Sequence, residues 1–177
     1  CQRLIKQPGY TLTAKHIDEF APWAVLGVIA GGRLGHVIFY GGTYYLENPL
    51  EIFMIWHPGM SFHGGLLGVV LAMWWFTRKH NLKTTDLSDV VAVVTPLGLF
   101  FGRLANFVNA ELVGRVTDSP WGMVFPGAGP YPRYPSQLIE AILEGLILWL
   151  IMLFYAYRPP SKRPRGFLTG LFLTGYG

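Results

Sequence analysis

The hydrophobic residues of the chain fall into five apolar runs separated by polar or irregular segments. The runs cover about residues 20–40, 61–77, 87–108, 136–157 and 166–177, and the last is truncated by the end of the chain. Because about 20 apolar residues in a helix cross the roughly 30 Å core of a bilayer, we interpret each run as a membrane span. The pattern predicts an all-α integral membrane protein, a polytopic helix bundle that forms a single membrane domain over residues 1–177.

Glycines recur at every fourth position in the first two runs. Gly27, Gly31 and Gly35 lie in the first run, and Gly64 and Gly68 lie in the second. Small residues at this spacing allow two helices to approach closely in lipid, where no hydrophobic force pulls them together. We therefore expect both runs to form closely packed helices.

Composition and charge agree with a membrane protein. Charged residues make up only 14% of the chain, against about 25% in soluble domains. Ten of the fourteen Lys and Arg residues lie in segments 1–19, 78–86 and 158–165, which share one side if the spans alternate. The positive-inside rule makes that side cytoplasmic, so segment 109–135, which is irregular and rich in Gly and Pro, becomes a small head on the outer face. The basic residues thus follow membrane topology and do not indicate nucleic-acid binding.

Arg103 is the residue around which we expect a functional site. It lies in GRLANFVNAELVG, at residues 102–114, where the third run ends. An ionisable side chain in a span costs about 2.5–3.5 kcal/mol on insertion scales and marks a functional site by default. Helical spacing places Asn106 and Ala110 on the same face, and Asn109 follows closely. A guanidinium suits bidentate phosphate binding, and amides add further donors and acceptors.

A simpler interpretation is that Arg103 extends to lipid head groups or pairs with Glu111. Glu140 and Glu144, four residues apart in the fourth run, could also neutralise an arginine inside the bundle. Arg33, in the first run, could pair with the same site or extend outward.

His63 opens the second run in the sequence SFHGG. The positive end of a helix dipole favours the neutral imidazole, which could act as a general base. Alternatively, His63 only caps its helix or contacts lipid. Asp89, in the third run, could cap a helix or pair with a cation. The remaining histidines are weaker candidates: His16 and His80 in basic loops, and His36 and His57 near the outer face.

The chain has no nucleotide-type phosphate loop, no HExxH and no GxSxG motif, and its single Cys1 excludes a cysteine metal site. The sequence therefore predicts neither a cofactor nor a metal. An outward-facing arginine with amides and a candidate base fits a lipid with an anionic head group, and a group transfer from a phospholipid suits these residues. A transporter would predict an internal repeat, which is not visible, whereas a non-catalytic lipid-binding scaffold would need no base.

The segments GRLANFVNAELVG and SFHGG resemble the prolipoprotein diacylglyceryl transferase family. GGRLG at 31–35, RYPSQLIEAILEG at 133–145 and the closing GLFLTGYG extend the similarity over essentially the whole chain. The resemblance implies a bacterial inner-membrane protein with seven spans and a periplasmic site. Its members transfer the diacylglyceryl group of phosphatidylglycerol to the lipobox cysteine of a prolipoprotein, which forms a thioether and releases glycerol 1-phosphate.

The resemblance also assigns residues. Arg103 matches the arginine that binds the phosphatidylglycerol head, and His63 matches the histidine of the HGG motif, a proposed base. Further matching substrate-site positions are Asn106, Asn109, Glu111, Gly114 and Tyr176. The family's first span and a second essential arginine beyond Gly177 are absent from this sequence, so we expect the isolated chain to be inactive.

Overall fold

The computed structural model describes residues 5, 10–42, 44–54, 59–158 and 164–176 of the chain. Several residues named above lie outside this part of the chain: Cys1, His57, Gly177 and four of the clustered basic residues, Arg3, Lys6, Lys162 and Arg163. By contact density the chain divides into two compact units, Leu4–Leu87 and Ser88–Gly177.

Helices make up most of the described residues, which confirms the all-α class. They are α1 (Ala14–Tyr40), α2 (Tyr44–Glu47), a 3₁₀ segment (Pro49–Phe53), α3 (Phe62–Lys79), α4 (Thr84–Val108), α5 (Ser136–Glu140), a π-helical segment (Ala141–Ile147), α6 (Leu148–Ala156) and α7 (Phe167–Tyr176). Within the described ranges there is no β-strand, only isolated antiparallel bridges from Arg133 to Val116 and Met123.

Among the described residues, three helices are long and apolar enough to cross a membrane: α1, α4 and the continuous helix Ser136–Ala156. Helices α3 and α7 also form where the sequence predicts spans, but they are shorter, with 18 and 10 residues. The architecture is that of a multi-pass membrane protein. The count of five spans and the outer position of segment 109–135 stay predictions.

Glycines form the contact between α1 and α3 in the first unit, as their spacing predicts. A Cβ atom on Gly35 would lie 2.7 Å from the Cα of Gly64, and one on Gly31 would lie 2.9 Å from the Cα of Gly68. Both distances are shorter than carbon atoms tolerate, so side chains larger than hydrogen would force the helices apart.

Arg33 is bonded inside the first unit. Its side chain is 3% exposed and donates to the backbone carbonyls of Glu51, Ile52 (3.0 Å) and Gly59 (3.3 Å). Its guanidinium also lies 5.4 Å from the ring centroid of Tyr45. The interpretation that Arg33 extends outward is therefore wrong, because its side chain is buried and binds the segment after α2 to α1. Its pairing with the Arg103 site stays a prediction.

Helix α4 begins at Thr84, so Asp86 lies within its first turn. There its carboxylate accepts from the backbone N–H and the hydroxyl of Thr11, each at 2.9 Å. In the second unit the hydroxyl of Ser88 accepts from that of Thr169 at 2.9 Å. Both residues thus bind other segments of the chain to α4.

Asp89 caps α7 in the second unit, which is one of the two roles considered from the sequence. The buried carboxylate accepts from the backbone N–H groups of Gly166 (3.0 Å) and Thr169 (2.9 Å), and from the Thr169 hydroxyl (3.0 Å). Unsatisfied N–H groups at the start of α7 thereby gain a charged acceptor supplied by α4.

Asp89→Ala is expected to lower the free energy of unfolding by about 1–2 kcal/mol, in the range measured for lost helix caps. Thermal unfolding in detergent, followed by circular dichroism, would measure the change. Asp89→Asn, which retains one acceptor oxygen, should lose less, and Asp118→Ala, in an exposed position of segment 109–135, should have little effect. An unchanged midpoint for Asp89→Ala would show that α7 does not depend on this cap.

Candidate functional site

The segment that carries Arg103 leaves the helix earlier than its spacing suggests. Helix α4 ends at Val108, and Ala110 and Leu112 have φ angles of 56° and 50°. Residues other than glycine rarely adopt this left-handed conformation, and such strain collects at functional sites. The prediction that Ala110 shares the helical face of Arg103 is wrong, because the chain turns away two residues earlier.

Two carboxylates lie beside the Arg103 guanidinium. Nε of Arg103 lies 2.8 Å from an oxygen of Glu140, and Nη2 lies 4.0 Å from an oxygen of Glu144. All three side chains are partly buried, with 25% of Arg103 and 32% of each glutamate exposed. Of the acidic partners considered from the sequence, the two on the fourth run are confirmed and Glu111 is not. One edge of the guanidinium is thus anchored at Nε, while its terminal nitrogens form no short ion pair within the described residues.

A π-helical segment brings these acids to α4. Glu140 is the last residue of α5, and Glu144 lies inside Ala141–Ile147, where the backbone forms the wider π turn. Gly145 lies against α4 so closely that a Cβ there would be 2.6 Å from the Cβ of Phe100. Such π turns are rare and often occur at functional sites. The close approach at Phe100, one turn before Arg103, is what allows both acids to face one guanidinium.

Amide groups connect the turn after α4 to the start of α5. The Asn106 side chain donates to the Glu111 carboxylate at 3.2 Å, and the Gln137 side chain donates to the Glu111 backbone carbonyl at 2.7 Å. Gln137 is fully buried, and its own carbonyl oxygen has no partner within the part of the chain that the structure describes. Gln137 was not predicted from the sequence as a member of the site. Its position as a polar residue at the start of an apolar run could have indicated such a role.

Gly114 lies so close to Tyr134 that this position has no room for a side chain. Its N–H donates to the Tyr134 carbonyl at 3.1 Å, and its carbonyl accepts from the Arg133 guanidinium at 3.2 Å. A Cβ at this position would lie 3.1 Å from the Tyr134 Cβ and closer still to the Tyr134 carbonyl oxygen. Hydrogen bonds from the nearby hydroxyls of Thr117 and Ser119 lower the pKa of the half-buried Tyr134 phenol. Gly114 therefore fixes the irregular segment against the start of α5.

Three further residues were predicted for the site: His63, Asn109 and Tyr176. His63 is the second residue of α3, exposed, with its ring centroid 5.8 Å from that of Phe62. Asn109 is exposed in the turn after α4, and Tyr176 ends α7, stacked on Phe172 with 5.8 Å between centroids. His63 belongs to the first unit and Arg103 to the second, so their joint action stays a prediction.

Comparison with known proteins identifies the family. The model of the prolipoprotein diacylglyceryl transferase family matches residues 1–177. The chain belongs to this family. Proteins named phosphatidylglycerol–prolipoprotein diacylglyceryl transferase are similar to it: that of Nitratidesulfovibrio vulgaris strain DP4 is 52% identical over 99% of this chain, and that of Rhodospirillum rubrum is 56% identical over 91%. That of Paramagnetospirillum magneticum is 53% identical over 98%.

The chain spans about two thirds or less of the length of these diacylglyceryl transferases: 66%, 59% and 65%, in the order given. Within that shared length, the second unit pairs Arg103 with Glu140 and Glu144 and joins the Asn106 side chain to the carboxylate of Glu111.

Proposed function

We propose that this chain is part of an enzyme that transfers the diacylglyceryl group of phosphatidylglycerol to the lipobox cysteine of a prolipoprotein. The sulfur attacks the glycerol carbon that carries the phosphate, a thioether forms, and the carbon–oxygen bond to the phosphate breaks. Glycerol 1-phosphate leaves, and the thiol proton passes to a base. The enzyme is a multi-pass protein of the bacterial inner membrane with its site toward the periplasm.

Family membership supports the reaction class, and the anchored guanidinium of Arg103 is the observation that carries the proposal. Its Nε is bound to Glu140, so its orientation is fixed before substrate binds. The terminal N–H groups remain for two phosphate oxygens, the geometry that arginine offers best. As the carbon–oxygen bond breaks, negative charge develops on that phosphate, and a preorganised cation stabilises it.

The acids beside Arg103 fit the rest of the head group. Phosphatidylglycerol carries two hydroxyls beyond its phosphate, and carboxylates accept hydrogen bonds from hydroxyls. Glu144, only loosely paired at 4.0 Å from Nη2, is the group we assign to this contact. A lipid with a bare phosphate would instead meet carboxylates that repel its negative charge.

The other assignments follow the family resemblance. His63 is the proposed base for the thiol, since it matches the histidine of the family's HGG motif and an imidazole nitrogen can accept a proton. Asn106, Glu111 and Gly114 hold the turn after α4, and Asn109 and Tyr176 are assigned to substrate contact. No cofactor takes part in the proposed step.

The test is a transfer assay with the protein expressed at its full natural length. Phosphatidylglycerol labelled in its acyl chains is mixed with a lipobox peptide, and label on the peptide is measured together with released glycerol phosphate. We expect equal amounts of both products, none with phosphatidic acid, and none with a peptide whose cysteine is replaced by serine. Lipid binding without either product would identify a non-catalytic lipid-binding subunit instead.

A further inference from the structure

The last turn of α3 carries a second candidate lipid site. Trp74, Trp75, Arg78 and Lys79 line a surface pocket of about 370 Å³. Both indoles are exposed, Trp74 by 47% and Trp75 by 60%. None of these residues belongs to the Arg103 cluster or to the family segments quoted above, so the proposed reaction leaves the pocket unexplained.

The two cations of the pocket are held in place by aromatic rings. The Arg78 guanidinium lies 5.2 Å from the ring centroid of Trp74, and the Lys79 ammonium lies 5.5 Å from that of Trp23 on α1. Cation–π contacts at such distances stabilise a cation without neutralising it. Each positive charge therefore has a preferred position before any ligand arrives.

Neither cation forms an ion pair with a carboxylate of the described residues, in contrast to Lys15 and Arg103. Lys15, in the same unit, lies 3.7 Å from the carboxylate of Glu19. Arg103, in the other unit, is paired with Glu140. The pocket thus presents uncompensated positive charge beside an apolar, aromatic wall.

We propose that this pocket binds the head group of an anionic phospholipid of the surrounding bilayer. Indole rings prefer the membrane–water interface, where their apolar faces can contact the glycerol and upper acyl chain of a lipid. The two cations at the rim then meet its phosphate, and each basic residue near an anionic bilayer surface adds to the attraction. The proposal concerns a structural lipid and does not depend on the transferase reaction.

Quenching of tryptophan fluorescence by brominated lipids tests the proposal. The full chain is reconstituted in phosphatidylcholine vesicles that contain brominated phosphatidylserine or, separately, brominated phosphatidylcholine. We expect the anionic lipid to quench more strongly, and Trp74→Phe with Trp75→Phe to remove most of the difference. Arg78→Gln with Lys79→Gln should weaken the preference for the anionic lipid by about thirty-fold.

The matched control is Lys15→Gln with Lys83→Gln, which removes the same charge from exposed positions outside the pocket. It should lower the preference only a few-fold. The proposal is overturned if both lipids quench wild type equally, or if the control pair weakens the preference as much as the pocket pair does. Circular dichroism of each variant confirms that it is folded before quenching is compared.

Discussion

Arg103→Ala is expected to lower kcat/KM for diacylglyceryl transfer by at least about 10²–10³-fold, the loss seen when one donor to a developing anion is removed. The expectation rests on the fixed orientation of the guanidinium, whose Nε lies 2.8 Å from Glu140. Alanine removes both the anchor and the terminal N–H groups that we assign to the phosphate. The transfer assay with phosphatidylglycerol and a lipobox peptide measures the effect, with the protein at its full natural length.

A purely structural role for Arg103 makes a different prediction, because alanine also leaves Glu140 and Glu144 facing each other without a cation. Arg103→Ala combined with Glu140→Gln removes that repulsion. If Arg103 acts on the substrate, the double variant stays inactive although its abundance in the membrane recovers. Recovery of transfer in the double variant would assign Arg103 to folding alone.

Two further variants complete the Arg103 series. Arg103→Lys keeps the charge but loses the planar fork that contacts Glu140 and the phosphate together, so we expect intermediate activity. Arg158→Ala is the matched control, since Arg158 is exposed and lies 4.5 Å from the ring centroid of Phe154, in a predicted cytoplasmic loop. Normal turnover by Arg103→Ala would show that the proposed site is wrong.

Local spacing along a helix predicted part of this molecule well. The glycines of α1 and α3 were identified because small residues at every fourth position lie on one helical face whatever the rest of the chain does. The position of Arg103 could likewise be recognised from the sequence, because a charged side chain at the end of an apolar run costs free energy in a membrane. Both inferences need only a helix and no knowledge of what packs against it.

The partners of the arginines were beyond such reasoning. Arg33 is satisfied by backbone carbonyls, which every residue carries and which leave no mark in a sequence. For Arg103 the sequence offered three acids, and the choice depends on where α4 ends. That end is set by Ala110 and Leu112 in left-handed conformations, although neither is a residue type that predicts a break.

The π-helical segment had no sequence signal either. Residues 141–147, AILEGLI, fit an ordinary helical span, and the i, i+4 spacing of Glu140 and Glu144 was interpreted on that basis. The wider turn is set by tertiary packing, because Gly145 must come close to Phe100. The sequence shows a glycine at position 145, but it does not show that Phe100 of another helix packs against it.

The glycine contact between α1 and α3 leads to the second large effect. Gly64→Ala is expected to lower the free energy of unfolding by about 3 kcal/mol, the upper end of the usual cost of overpacking. A Cβ on Gly64 would overlap the carbonyl oxygen of Gly31 and lie 2.8 Å from the Cα of Gly35. Backbone atoms cannot rotate away as a side chain can, so α1 and α3 must separate.

Gly98→Ala is the matched control, because a Cβ there would meet no heavy atom within 4 Å beyond its chain neighbours and the adjacent backbone of its own helix. Alanine is preferred over glycine in a helix by about 1 kcal/mol, so this variant should be neutral or slightly stabilised. The two substitutions are chemically identical and have opposite expected signs, and thermal unfolding in detergent measures both. Gly64→Ala should also reduce transfer, since His63 is its neighbour and moves with α3. Equal midpoints for the two variants would mean that the glycine contact does not hold α1 and α3 together.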